Sequence, residues 1–277
     1  MSLLYTRDMV AAGSFYPADP DELKDEIKGL FSKKPYSQRA GFMNGLISPH
    51  AGYTYSGRTM ARGFYELSKH EPRTMIIIGP SHSGLGDPIS IMYNAGYKTP
   101  LGKVKTNQLM ARGLCKSMGL TNDFLAHSHE HSVEVQLPFL QSLYGDKLSI
   151  VPIIIGDAPL TDLKRLGLAL TGLDATIIVS SDFTHHGEVY GYNPFSNIKL
   201  ELREHDMKAI ELIQELRVDE FHALGEQSTI CGYKPITVLL EAMKGRGAKS
   251  RFLEYSTSAD KTKDYKNVVS YASIIFD

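Results

Sequence analysis

Two cysteines in 277 residues, Cys115 and Cys231, cannot build a disulfide framework, and that usage suits a reducing cytoplasm. No long basic cluster is present either: 30 Lys and Arg almost cancel 31 Asp and Glu, for a formal net charge of -1. This balance argues against a surface that tracks nucleic-acid phosphates. The longest apolar runs, such as "IVPIII", are far too short to span a bilayer. In the opening stretch "MSLLYTRDMVAAG", Arg7 and Asp8 interrupt the apolar residues where a signal peptide needs them unbroken. P-loop and G-x-G-x-x-G fingerprints are absent, so nucleotide binding has no support. Repeats, low-complexity tracts and Pro/Gly/Ser-rich linkers are missing too. The reading is one cytoplasmic domain over 1–277, with neither a nucleic-acid nor a membrane partner.

What is present is an alternation of strands and helices. In "DPDELKDEIKGLF", Asp19 is the helix cap, Pro20 fits the first helical position, and Glu22 completes a capping box. Leu23, Ile27, Leu30 and Phe31 then share one apolar face. Strand-like runs follow at "NGLIS", "TMIIIG", "PISIM", "LSIVPIIIG" and "ATIIVSS". Several are continuously apolar, as strands covered on both faces must be. Helical patterns fall at 58–68, 106–118 and 161–170, in "IKLELREHDMKAIELIQEL", and from Pro235 onward. The end, "SRFLEYST" and "NVVSYASIIFD", reads as two antiparallel strands. The fold class expected is α/β: a single domain with a central, mostly parallel or mixed sheet and helices on both faces.

In open α/β sheets, ligands bind outside the carboxyl ends of the strands. After Leu46–Ile47 comes "SPH" with His50, and after Ile76–Gly79 comes "PSHSG" with His82. After Ile177–Val179 comes "SSDFTHHG", with Asp182, His185 and His186, and "STICGYK" brings Cys231 to the start of the Pro235 helix. Each residue alone has an ordinary reading: a hydrogen-bonded loop histidine, a helix-capping aspartate, a buried small thiol. Four such segments at one sheet edge favour a shared site. Imidazole and thiolate together suit Fe(II), Cu or Zn. Cys231 lies near the positive end of a helix, which predicts a thiolate. Asp182 and His185 then serve to orient ligands or to move protons.

The run "HSHEHSVEVQLPFLQSLYG" divides. His127 and His129 read as solvated loop residues, whereas His131 and Glu134 are expected to reach the cleft as catalytic groups. Pro138 requires either a kink or a helix that starts later. Cys115 reads as a core thiol. A serine or cysteine hydrolase is a lesser reading. "GPSHSG" has Ser83 where the nucleophile elbow needs its second glycine, and Ser180 or Ser181 lies too near Asp182 and His185 in sequence to form a triad with them.

Six ordered motifs, "AGSFYPAD", "SPHAGYTYSG", "IIIGPSH", "EHSVEVQLPFL", "VSSDFTHHG" and "STICGYKPI", resemble the signatures of the Memo family. Its eukaryotic members are named as mediators of receptor-driven cell motility. Its archaeal and bacterial members form component B of a three-part set with an AMMECR-type protein and a radical-SAM protein, which the resemblance implies as partners. The family is similar in fold to class III extradiol dioxygenases, which use non-haem Fe(II). The resemblance implies His50, His82 and Cys231 as metal ligands, with Asp182 and His185 completing the pocket. Cys231 stands where those dioxygenases carry a glutamate, and a softer thiolate moves the preference toward copper or zinc. The expectation is a mononuclear non-haem metal site of oxidoreductase type, taking a small molecule or peptide in its cleft. The alternative is a metal-free peptide- or protein-binding module.

Overall fold

The continuously apolar runs become the middle of one mixed sheet. The computed structural model describes residues 5–31, 33–36 and 39–277. Strand β1 (Tyr5–Arg7), helix α1 (Pro20–Leu30), β2 (Gly45–Ser48) and α2 (Tyr53–Leu67) come first. They are followed by β3 (Thr74–Pro80), β4 (Ile89–Ile91), β5 (Ala95–Thr99), β6 (Gly102–Thr106) and α3 (Gln108–Met118). Next are α4 (Leu125–Ser128), α5 (Leu137–Tyr144), β7 (Ser149–Ile155), α6 (Leu160–Thr171), β8 (Ala175–Ser180) and β9 (His185–His186). The chain ends with α7 (Ile198–Gln214), α8 (Val218–Glu226), α9 (Tyr233–Arg246), β10 (Ser250–Thr257), α10 (Ala259–Thr262) and β11 (Val268–Phe276).

The sheet order is β1-β5-β6-β7-β3-β8-β2-β11-β10, with β4 on β7 and β9 on β11. Its centre, β7-β3-β8-β2, is parallel throughout. The expected final hairpin is present, β10 and β11 pairing antiparallel.

Alternate residues of the central strands feed two separate cores, as the two-residue period of a strand requires. Ile76, Ile78, Ile177, Val179 and Ile47 pack with Leu163, Leu166 and Leu170 of α6 and Val238 and Leu239 of α9. Met75, Ile77, Ile178 and Leu46 pack on the other face with Met60 and Phe64 of α2 and Phe139 and Leu140 of α5. Both faces of the sheet are therefore covered by helices, which is why these strands carry no polar stripe.

The Asp19 cap holds, although among the described residues Glu22 makes no return bond to the Asp19 N–H, so the capping box is only half formed. Asp19 Oδ1 accepts from the backbone N–H groups of Asp21 and Glu22 at 2.9 and 3.0 Å. Pro138 sits in the first turn of α5, after a short 3-10 turn at Glu134–Gln136, so the helix starts late and does not kink. The hairpin β5–β6 is not evident in the sequence, because Lys98, Lys103 and Lys105 face solvent and the inward positions include the small or polar Ala95, Thr99 and Thr106 beside Tyr97 and Val104. Charged residues on the solvent-facing side of a strand blunt the apolar signal. Helix α8 is likewise unforeseen. Among the described residues, no helix is long and apolar enough to cross a membrane.

Candidate metal centre

Because β3, β8 and β2 are adjacent and parallel, their carboxyl ends open on one edge. His82 follows β3, Asp182 and His185 follow β8, and His50 follows β2. Cys231 enters from the turn before α9. A cavity of about 470 Å³ lies there, lined by His50, His82, His131, Asp182 and His185, with Phe15, Tyr55, Tyr190 and Tyr271 among its walls. The strand-end residues thus converge as the sequence indicates.

Cys231 Sγ lies 3.3 Å from His50 Nε2. One ligand atom from each of His50, His82 and Cys231 falls within 4.8 Å of the others. The His50 and His82 rings meet edge to face at 5.1 Å. Two ligands of one tetrahedral ion, each bound at ~2.0–2.3 Å, stand roughly 3.3–3.8 Å apart. The His50–Cys231 pair meets that spacing, and the His82 ligand atom lies within 4.8 Å of both, so the three form a possible metal-binding group.

The surroundings fix the ligands. Asp182 Oδ1 accepts from the backbone N–H groups of His50 and Ala51 at 2.8 and 3.2 Å, tying the end of β8 to the end of β2. Glu130 does the same for His82: its Oε2 accepts from the His82 backbone N–H at 2.6 Å and its Oε1 from His82 Nδ1 at 2.9 Å. Ser132 N–H also donates to Glu130 Oε1, at 2.9 Å. A carboxylate behind a ligating histidine sets the tautomer and ring orientation, leaving Nε2 for a metal. His82, Glu130 and His131 are also near enough for their ligand atoms to form a group. The oxygens of Glu130 are already engaged by His82 and Ser132, so this group is better read as the support of His82 than as a second cation site.

Glu130 escapes sequence reasoning. It stands between His129 and His131, and only its neighbourhood to those histidines hints at a role. His131 reaches the cavity as expected, its ring 4.5 Å from that of His82. Glu134 does not, and the expectation that it is catalytic is corrected. Its carboxylate is fully buried, paired with Arg7, and it accepts from Val10 N–H, Ala11 N–H and Tyr16 Oη–H. Arg7 also donates to the backbone carbonyls of His127 and Glu130, so this pair anchors the segment that carries Glu130. His127 is no solvated loop residue: it is fully buried, with Nδ1 2.9 Å from Tyr97 Oη. His129 is exposed as read.

His185 Nδ1 lies 3.0 Å from Phe183 O and 3.1 Å from Thr229 O. Both are acceptors only, so Nδ1 carries the proton and Nε2 is the free ring nitrogen. His186 points away from the cavity, buried and stacked on Phe195 at 5.2 Å, and forms no part of its wall. The hydrolase letters form no triad: Ser180 Oγ lies 3.0 Å from His50 Nδ1 but is fully buried and donates to Ser132 O, and Ser181 Oγ donates to Asp182 O and accepts from Gly232 N–H. Among the described residues, neither Ser81 nor Ser181 meets an imidazole.

Burial holds His50 well below the ordinary histidine range, assisted by the positive potential of His82 and His131, so its ring is neutral. Burial also lowers His82, but the hydrogen bond and charge of Glu130 outweigh it and leave that imidazole above its usual value. Glu130 in turn would be raised by burial, yet its bonds to His82 and to backbone N–H groups hold it down at about 2. Burial raises Asp182. Burial and the Asp182 carboxylate push the Cys231 thiol well up, which corrects the expectation of a resident thiolate. Loss of hydration at Cys231 exceeds what the helix end supplies.

A family model described as "Memo-like protein" matches residues 7–275. The chain is similar to a MEMO1 family protein of Nitrosopumilus maritimus, 36% identical across 98% of this chain and 99% of the relative. It is 37% identical to a MEMO1 family protein of Thermoplasma acidophilum, across 97% of this chain and 98% of that one. The crystal structure of an uncharacterized protein from Escherichia coli K12 superimposes with a TM-score of 0.51, covering 85% of this chain and 100% of that chain at 14% identity. A likeness at that identity shows the fold alone.

Proposed function

This chain belongs to the Memo-like family, and on that premise we propose that it is a mononuclear metal protein whose ion is held by His50, His82 and Cys231. The observation that carries this reading is the contact of His50 Nε2 with Cys231 Sγ at 3.3 Å, with a His82 ligand atom within reach of both. When bound, an ion with two nitrogen ligands and one sulfur ligand supplies Lewis-acid or one-electron chemistry to whatever enters the cleft. Iron and copper suit a redox role at such a site, and zinc suits its geometry.

The chain's own residues supply the rest. Asp182 holds the His50 backbone in place, and His185 presents Nε2 toward the cavity, where it can accept a proton from a bound substrate. Tyr55, Tyr190, Tyr271 and Phe15 give the cavity aromatic walls suited to a small molecule or the tip of a peptide.

The experiment is metal analysis after equilibrium dialysis against Fe(II), copper or zinc. The wild-type chain is expected to retain about one equivalent, and Cys231→Ala and His50→Ala to lose it. Equal metal content in all three would contradict the proposal.

A further inference from the structure

Ser180, the last residue of β8, is fully buried and joins three segments behind His50. Its Oγ lies 2.6 Å from Ser132 O, 2.8 Å from Gln136 Nε2 and 3.0 Å from His50 Nδ1. A hydroxyl has one proton and two lone pairs, whereas a carbonyl oxygen can only accept. Ser180 must therefore give its single proton to Ser132 O.

Gln136 removes the remaining ambiguity. Its amide nitrogen also lies 2.8 Å from Pro49 O, another pure acceptor, so its two N–H groups point at Pro49 O and Ser180 Oγ. Reversing the amide would set its oxygen against Pro49 O. The orientation is kept although Gln136 Oε1 is buried and has no partner among the described residues. An orphaned acceptor is costly, so the two donor contacts decide how the amide sits. Ser180 Oγ then has one lone pair left for His50, and the imidazole can meet it only by donating through Nδ1.

We infer that Ser180 and Gln136 are positioning residues that lock His50 in the Nδ1–H tautomer, so that the Nε2 lone pair faces Cys231 Sγ. His82 is served by a carboxylate, Glu130, and His50 by a neutral hydroxyl whose own proton is committed elsewhere. The two ligands are thus prepared by different chemistry. The lock is a property of the metal-free chain; only its consequence for ion affinity rests on the metal reading above.

The test is the long-range ¹H–¹⁵N correlation spectrum of the metal-free, full-length, ¹⁵N-histidine-labelled chain, with His50 assigned by the signals lost in His50→Asn. The expected ring is neutral and protonated at Nδ1. In Ser180→Ala it should shift to a mixed or Nε2–H form, and Ser180→Thr, which keeps a hydroxyl, should restore the wild-type pattern. Affinity for Zn²⁺ should fall roughly 10–100-fold in Ser180→Ala and recover in Ser180→Thr. An Nε2–H ring in the wild-type chain overturns the inference, as does an unchanged tautomer in folded Ser180→Ala. A wild-type Nδ1–H ring in a chain that binds no Zn²⁺ supports the lock and contradicts the metal reading alone. If Ser180→Ala does not fold, the wild-type tautomer decides.

Discussion

His50 Nε2 and Cys231 Sγ meet at 3.3 Å although 181 positions of chain separate them. The contact depends on two supports. Asp182 fastens the His50 backbone to the end of β8, and Gly232 lets the turn before α9 close onto the same strand end, where its N–H donates to Ser181 Oγ at 3.0 Å.

Gly232 tolerates nothing larger. A Cβ there would lie 2.4 Å from Ser181 Cβ and 3.1 Å from the Ser180 carbonyl oxygen, so the turn must move. Gly232→Ala is expected to lower stability by about 1–3 kcal/mol, the usual cost of overpacking, and to weaken ion binding by displacing Cys231. Urea unfolding checks the first effect and metal titration the second. A variant with wild-type values in both would show that the turn has room.

Glu134 contributes to stability. Removing it leaves Arg7, 1% exposed, as a buried charge without its carboxylate. Glu134→Ala should cost about 3–5 kcal/mol, as breaking a buried pair does. Urea unfolding of the metal-free chain measures this, and near-wild-type stability would return Glu134 to candidacy as a cleft residue.

Glu130 makes stability sensitive to acid. Its carboxyl is held at about 2, below its ordinary 4.5. The stabilisation is complete above the ordinary value and is lost as pH falls toward the folded one. A depression of that size is worth roughly 3 kcal/mol. His82 has the opposite sign: raised above 6.5, it contributes below that pH and loses the contribution as pH rises through its folded value. Unfolding curves at pH 6, 4 and 3 should show the wild type losing its advantage over Glu130→Gln on acidification. Parallel loss in both chains would contradict the assignment.

Ion binding should release protons. Burial and Asp182 hold the Cys231 thiol protonated and Glu130 favours the charged form of His82, whereas His50 is already neutral. The thiol proton, and at the lower pH values the second ring proton of His82, must therefore leave when these groups become ligands. Affinity for Zn²⁺ should rise about tenfold per pH unit for each proton released. Competition titrations at pH 6, 7 and 8 measure the slope, and calorimetry in buffers of different ionisation heat counts the protons. A pH-independent affinity would mean that sulfur is not bound as thiolate.

The strand-end residues were legible because parallel strands carry their carboxyl ends to one edge, and apolar runs mark where those ends fall. His50, His82, Asp182 and His185 need no more than that. Their supports are different. Glu130, Ser180 and Gln136 act through contacts spanning 44 to 130 positions, and nothing in local pattern distinguishes them from buried polar residues of the core. Glu134 shows the same limit from the other side. Four positions from Glu130 and three from His131 in sequence, it lies in the 3-10 turn at 134–136 and faces Arg7 instead of the cavity. The Cys231 expectation failed on magnitude: a helix end offers at most about 2 kcal/mol to a nearby charge, less than the cost of burying the thiolate. The hairpin β5–β6 was hidden by its solvent-facing lysines.

The most direct test of the centre is cobalt titration of the metal-free chain followed by absorption spectroscopy. The account predicts a thiolate-to-cobalt charge-transfer band in the near ultraviolet that saturates at about one equivalent, and its loss in Cys231→Ser with the fold intact. A wild-type chain that shows no such band, or a Cys231→Ser chain that keeps it, would contradict the assignment of His50, His82 and Cys231 to one ion.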